Sequence, residues 1–284
     1  MKKLPIGLSD FKELIEENYY YFDKTEYIDE IIKDGSKVKL FTRPRRFGKT
    51  LNMSMLKYFF DIKEAEENRK LFKGLYIEKT ESFKEQGQYP VVFLSLKDLK
   101  TTTWEEMERR IIVMLSDLFS EYEYLLDELK GTNYENFKDI AYKKIGLYDL
   151  GGALKLLTKI LYERYSKKVI VLIDEYDAPL VSAYHNDYYD KAKDFFKTFY
   201  SSVLKDNVYL QMGVMTGIIR VIKAGIFSDL NNLRTYTILS DKYTDSYGLT
   251  EEEVIKSLKD YEIEYEISNV KDWYDGYRFG DSEV

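Results

Sequence analysis

The chain has 284 residues, of which 44% are hydrophobic and 33% charged, and its net charge is −7. This is the composition of a globular protein with one large domain or a core and a small appendage, and it is too acidic to coat nucleic acid broadly. With no cysteine and a single histidine, His185, disulfides, thiolate or His-cluster metal sites and two-imidazole mechanisms are excluded.

Near the start, Ser9 or Asp10 is suited to cap a short helix through Phe11, Leu14 and Ile15. An aromatic stretch, Tyr19 to Phe22, leads through Asp23, Lys24 and Thr25 into a second helix. That helix carries Tyr27, Ile28, Ile31 and Ile32, is capped by Asp23 or Thr25, and ends at Gly35. Two roles fit the stretch: packing beside the first strand, or lying against the base of a nucleotide with Asp23 among the binding residues.

Val38, Leu40 and Phe41 then read as a strand. It runs into a basic turn, Arg43-Pro44-Arg45-Arg46-Phe47-Gly48, followed by Lys49, Thr50 and a helix-compatible segment from Leu51 to Leu56. In a strand–loop–helix of this kind, loop N–H groups and the positive end of the helix dipole bind a polyphosphate. The backbone from Arg45 through Phe47 and Gly48 to Thr50 and Leu51 would hold the phosphates. Lys49 would reach the β- and γ-phosphates and the Thr50 hydroxyl would ligate Mg²⁺. The general Walker A pattern wants glycine where Arg43 stands. Arg43, Arg45, Arg46 and Lys49 make a local basic pocket in an acidic chain. The plainer reading is a basic loop ahead of a surface helix.

Residues 64–73 are charged and expected to be exposed. Pro90 to Leu96 reads as a buried strand with proline only at its entrance. Thr103-Trp104-Glu105-Glu106 is a capping box opening a helix with Met107, Ile111, Met114, Leu115 and Leu118 on one face. Residues 120–148 carry no pattern strong enough to organise. Another helix is expected from about Asp149 to Tyr165.

Val169 to Ile173 is a run of five aliphatics ending in Asp174 and Glu175. Buried parallel strands look like this, and α/β sheets hold ligands at the carboxyl ends of their strands. Asp174 would hold Mg²⁺ and Glu175 would activate the attacking water as general base. Alone, the pair also fits a strand that stops at two solvated acids. Tyr176, Asp177 and Pro179 turn the chain, and His185 falls in a polar loop as a surface histidine. A helix over 190–205 buries Ala192, Phe195, Phe196 and Phe199.

A fourth strand, Val208 to Gly217, ends at Thr216, with Arg220 one turn on. Thr216 suits a γ-phosphate sensor or a residue orienting the water, and Arg220 suits transition-state charge. The alternatives are a turn cap and a surface ion pair. A compact turn at 227–233, a fifth strand at Tyr236 to Leu239 and a capping box at Thr250 to Glu253 follow. The helix opened by that box carries Val254, Ile255 and Leu258.

These elements predict an α/β fold. They resemble the layout of the P-loop ATPases with an extra strand between loop strand and acid strand. That resemblance implies a P-loop NTPase three-layer sandwich on a mostly parallel five-stranded sheet of order 5-1-4-3-2. Several motifs point closer. They are Phe22-Asp23-Lys24-Thr25, Arg43 to Thr50, Leu172-Ile173-Asp174-Glu175-Tyr176-Asp177, Thr216-Gly217-Ile218-Ile219-Arg220, Phe227 to Leu233 and Trp273 to Gly280. Together they resemble the AAA-ATPase-like family of bacterial and archaeal proteins over nearly the whole chain. Arg at position 43 is usual in that family. The resemblance implies ATP and Mg²⁺. It also implies a PD-(D/E)XK nuclease-like domain after Trp273 to Gly280. The chain ends at Val284, so that domain is expected to be missing, nuclease activity is not carried over, and nucleic acid would be met only through it.

The expected organisation is an ATPase core over 1–240, with a helical lead-in, and a truncated C-terminal helical or lid segment over 241–284. The expected function is a Mg²⁺-dependent ATPase acting as a switch, with Arg220 or Arg46 offsetting γ-phosphate charge. The alternatives are an ATP-binding scaffold or switch without significant hydrolysis and, more weakly, a small-molecule kinase. A protein partner or self-association is expected. No apolar run approaches the roughly 18 residues of a membrane span, and the start lacks a secretory signal, so a cytoplasmic protein without a membrane partner is expected.

Overall fold

A computed structural model describes residues 2–219, 225, 227, 230–274, 278–279 and 282–283. In chain order its main elements are α1 (Phe11–Glu16), α2 (Glu26–Lys33), β1 (Val38–Thr42), α3 (Lys49–Phe60), α4 (Ala65–Arg69), β2 (Val91–Ser95), α5 (Trp104–Ser120) and α6 (Gly131–Ala141). Then come α7 (Ala153–Tyr165), β3 (Val169–Asp174), α8 (Ala178–His185), α9 (Tyr189–Leu204), β4 (Leu210–Gly217) and β5 (Leu233–Tyr236). The chain closes with α10 (Glu251–Asp260), α11 (Ile267–Tyr274), β6 (Arg278–Phe279) and β7 (Ser282–Glu283).

Five strands form one parallel sheet in the order β2-β3-β4-β1-β5, with helices on it, as expected from the sequence. β1 and β3 are buried along their whole length, which is why both read as near-continuous apolar runs. Lys39 is the exception in β1: its stem is buried and its ammonium donates to the Ser36 carbonyl at 2.6 Å.

The chain divides into two compact units. The first comprises Met1–Gly35, Phe41–Gln88 and Thr235–Val284; the second comprises Ser36–Leu40 and Tyr89–Arg234. Tyr243 and Tyr247 are core residues of the first unit. They pack edge-on to Tyr27, with Phe41 and Tyr236 in the same aromatic cluster. In that unit Asp10 caps α1 through the Glu13 N–H at 2.9 Å. It also accepts the Ser54 and Tyr58 hydroxyls, fixing α1 to α3. In α10 the capping box forms in full: the Thr250 hydroxyl accepts from the Glu253 N–H and the Glu253 carboxylate accepts from the Thr250 N–H.

Several local expectations are corrected. Leu71 and Phe72, in the charged stretch 64–73, are buried. Residues 120–148 hold a 3₁₀ turn, Glu123–Glu128, and α6, which bury Leu125, Phe137 and Ile140. The helix expected from Asp149 starts as a 3₁₀ turn and becomes α-helical only at Ala153, after Gly151 and Gly152. Glu106 reaches the Thr102 N–H, not that of Thr103, so the first capping box forms only its Thr103 half. His185 is the last residue of α8 and exposed; Pro179 in the first turn favours a helix start there. Val208 is exposed and precedes β4. The fifth strand lies at Leu233–Tyr236 and not at 236–239, since this partly exposed strand needs no apolar run and Leu239 is 82% exposed. Phe195 and the apolar residues of α10 are half-buried.

Candidate nucleotide-binding site

One group of candidate residues lies in the first unit, at the carboxyl end of β1. The chain turns out of the strand at Arg43 and enters α3 at Lys49. Arg46 and Gly48 both adopt left-handed backbone, with φ of 68° and 75°. Gly48 is the helix N-cap, and a side chain there would have room; the left-handed backbone is what requires glycine. Backbone of this kind brings successive N–H groups into an anion-binding concavity at a helix N-terminus. Arg45 and Arg46 are exposed, and Phe47, Thr50 and Leu51 are half-buried. Lys49 is only 6% exposed, and its ammonium donates to the carbonyls of Arg43 at 3.1 Å and Pro44 at 2.7 Å.

Arg43 does not join a surface basic pocket, which corrects that expectation. It is 1% exposed, and its guanidinium donates to the carbonyls of Thr42, Tyr236 and Tyr243 at 3.0, 2.9 and 3.3 Å. It also stacks over the Tyr247 ring, 4.9 Å from the centroid. Burial pushes its pKa down from the ordinary arginine value. A planar fork of donors suits three carbonyls in a way a lysine could not. Two more bonds join the loop to the same strap: Asn52 donates to the Ser246 carbonyl at 2.7 Å, and the Gly248 N–H donates to the Phe47 carbonyl at 3.3 Å. Local sequence patterns gave no sign of this strap over 236–248.

Asp23 is committed within the lead-in. One carboxylate oxygen accepts the Thr25 N–H and hydroxyl at 2.9 and 2.6 Å, and the other accepts the Tyr76 N–H at 2.7 Å. Thr25, rather than Asp23, holds the N-cap position of α2.

Another group of candidate residues lies in the second unit, at the carboxyl ends of β3 and β4. Their parallel register pairs Ile173 with Met215, so Asp174 comes beside Thr216. Asp174 is buried and accepts the Thr216 hydroxyl. Glu175 has a left-handed φ of 52°, uncommon for a residue with a side chain. Its carboxylate is partly exposed and lies 4.0 Å from the Lys100 ammonium. Sequence reasoning took Tyr176 and Asp177 only for turn formers. Both are buried and bonded to the chain leaving β4. Arg220 lies outside the described residues.

A parallel sheet of this order, with a basic Gly-Lys-Thr loop after β1 and an acid pair after β3, defines a P-loop NTPase-like protein. The chain belongs to the AAA-ATPase-like family, described as "Predicted AAA-ATPase", whose model matches residues 5–227. Among curated proteins it is similar to an "Uncharacterized protein in vnfD 5'region" of Azotobacter chroococcum mcd 1, at 26% identity over 280 residues. That match covers 98% of this chain and 49% of the relative, so the chain spans about half the relative's length. Family membership supports an ATPase-like, nucleotide-binding role. No helix among the described residues is long and apolar enough to cross a membrane.

Proposed function

We propose that the protein is a Mg²⁺-dependent ATP-binding and hydrolysing switch. The observation that carries this reading is the Lys49 ammonium, held by the Arg43 and Pro44 carbonyls within a loop that has two left-handed residues ahead of α3. On nucleotide binding Lys49 exchanges those carbonyls for β- and γ-phosphate oxygens, and N–H groups from Arg45 to Leu51 hold the phosphates. Asp23, through the lead-in it braces, belongs to the same nucleotide site.

The donor chemistry fits Mg²⁺. The Thr50 hydroxyl and the Asp174 carboxylate are hard oxygen donors. When bound, Mg²⁺ supplies charge neutralisation at the β- and γ-phosphate oxygens. Thr216 keeps the Asp174 carboxylate oriented. Glu175 takes the proton of the attacking water. Arg220, or Arg46 on the loop, offsets γ-phosphate charge, and turnover moves the C-terminal helices of a cytoplasmic switch. The switch acts on a protein partner or a second copy of the chain.

A second reading is an ATP-binding switch without significant intrinsic hydrolysis. The Lys100 ammonium, 4.0 Å from the Glu175 carboxylate, favours it, because the carboxylate must leave that partner to meet a water. ATP turnover of the native chain against Glu175→Gln decides: a loss of about 100-fold or more with binding kept supports the base role. Equal, non-zero rates remove Glu175 from it. Lys49→Ala abolishes nucleotide binding on this reading; unchanged affinity would sink the site.

A further inference from the structure

We infer that Tyr176 and Asp177 are positioning residues that hold the segment Thr216–Ile219 for its response to the γ-phosphate. The inference rests on the nucleotide site proposed above and concerns residues next to Glu175.

The geometry is specific. One oxygen of the Asp177 carboxylate accepts the N–H groups of both Ile218 and Ile219, each at 2.8 Å. Asp177 stands at the N-cap position of α8, yet its side chain makes no capping bond to that helix. It faces the chain that leaves β4 instead. There it gains twice, since the helix dipole favours an anion and bonds from N–H to a carboxylate are about twice as strong as neutral ones. Tyr176 grips the same segment at both ends. Its N–H donates to the Thr216 carbonyl at 2.9 Å and its hydroxyl to the Ile219 carbonyl at 2.6 Å. Tyr176 is itself fixed by the Tyr200 hydroxyl, which donates to its carbonyl at 2.7 Å.

Burial does not explain the path of Ile218 and Ile219, which are 37% and 47% exposed; their backbone is bonded instead to two buried side chains. Gly217 permits the approach: a Cβ there would lie 2.5 Å from a Tyr176 ring carbon and 2.7 Å from an Asp177 oxygen. The segment begins at Thr216, whose hydroxyl meets Asp174, and the next residue in sequence after Ile219 is Arg220. The motif Asp174-Glu175-Tyr176-Asp177 therefore divides into two acids for chemistry and two residues that set where the sensing strand ends.

The test uses the full chain with Asp177→Asn, Tyr176→Phe and Arg220→Ala. Turnover, KM for ATP and thermal unfolding are measured, with amide exchange at 216–219 in Mg²⁺–ATPγS against Mg²⁺–ADP. The expected result is that kcat falls about tenfold or more in each clamp variant while KM moves less than about threefold. Arg220→Ala added to Asp177→Asn is expected to cost little beyond the larger single loss, because both act through one segment. In the native chain, exchange at 216–219 is slower with ATPγS than with ADP, and Asp177→Asn abolishes the difference; this measure holds even if turnover is negligible. Unchanged kcat and a retained exchange difference, with only a lower melting temperature, would overturn the inference and leave the clamp a purely structural feature. Should Asp177→Asn not fold, Tyr176→Phe carries the same comparison. Failure of the underlying site has another signature: Lys49→Ala then binds nucleotide as tightly as the native chain.

Discussion

At the residue scale, Arg43 shows how a departure from a motif becomes a structural requirement. Its guanidinium satisfies three carbonyls, two of them in the strap 236–248 that starts at the end of β5. Arg43→Met keeps most of the packing and leaves those carbonyls without their donors. We expect a loss of about 3 kcal/mol in guanidinium unfolding and weaker nucleotide binding, with Arg43→Lys recovering less than half. Asp61, at the end of α3, gives a pH signature. Burial, partly offset by the Lys63 N–H, pushes its carboxyl up to about 6, from 3.8 when exposed. Between those values the folded chain holds a proton that the unfolded chain has lost. Its contribution is therefore full below about pH 4 and lost as pH rises through about 6. Asp61→Asn is expected to raise stability at pH 8 by up to about 3 kcal/mol and change little at pH 4, as read from melts across that range.

At the element scale, the strap over 236–248 and α10 form a continuous brace within the first unit. Asp34 accepts the hydroxyls of both Tyr236 and Tyr243, and Asn52 of α3 holds the Ser246 carbonyl. The Lys24 ammonium then joins the lead-in to Glu253 at 2.6 Å and to the Asp245 carbonyl at 2.7 Å. Glu253 is also half of the α10 capping box, so one carboxylate serves the helix start and the ion pair. Thr250→Ala should cost about 1 kcal/mol, seen as faster amide exchange along α10 with exchange in α3 unchanged. Equal acceleration in both would mean that the two elements open together.

At the scale of the whole molecule, nucleotide binding and folding are linked. A ligand that binds only the folded chain adds about 2.7 kcal/mol at 100 times its Kd. Melting with Mg²⁺–ATP should therefore shift upward in proportion to log concentration, and Lys49→Ala should show no shift. The net charge of −7 favours neither a nucleic-acid surface nor salt-dependent DNA binding by this chain. Broad, salt-sensitive DNA affinity would contradict that reading.

By itself the sequence determined the elements whose signals are local. β1, β2 and β3 were legible because buried parallel strands are apolar along their length, and α5 and α10 because their caps are written in Thr103 and Thr250. The positions of Gly48-Lys49-Thr50 after β1 and of Asp174-Glu175 at the end of β3 were legible because each is a run of adjacent residues, and the layout shared with P-loop ATPases supplied the sheet order. Only the tertiary structure decided what long-range contacts decide. Arg43 meets Tyr236 and Tyr243 across 193 and 200 residues, and Asp177 meets Ile218 and Ile219 across 41 and 42. A periodicity window of 11–18 residues cannot register such pairs. A buried arginine and an acid turned away from its own helix look in sequence like surface charges; what distinguishes them is the distant backbone whose hydrogen bonds they satisfy.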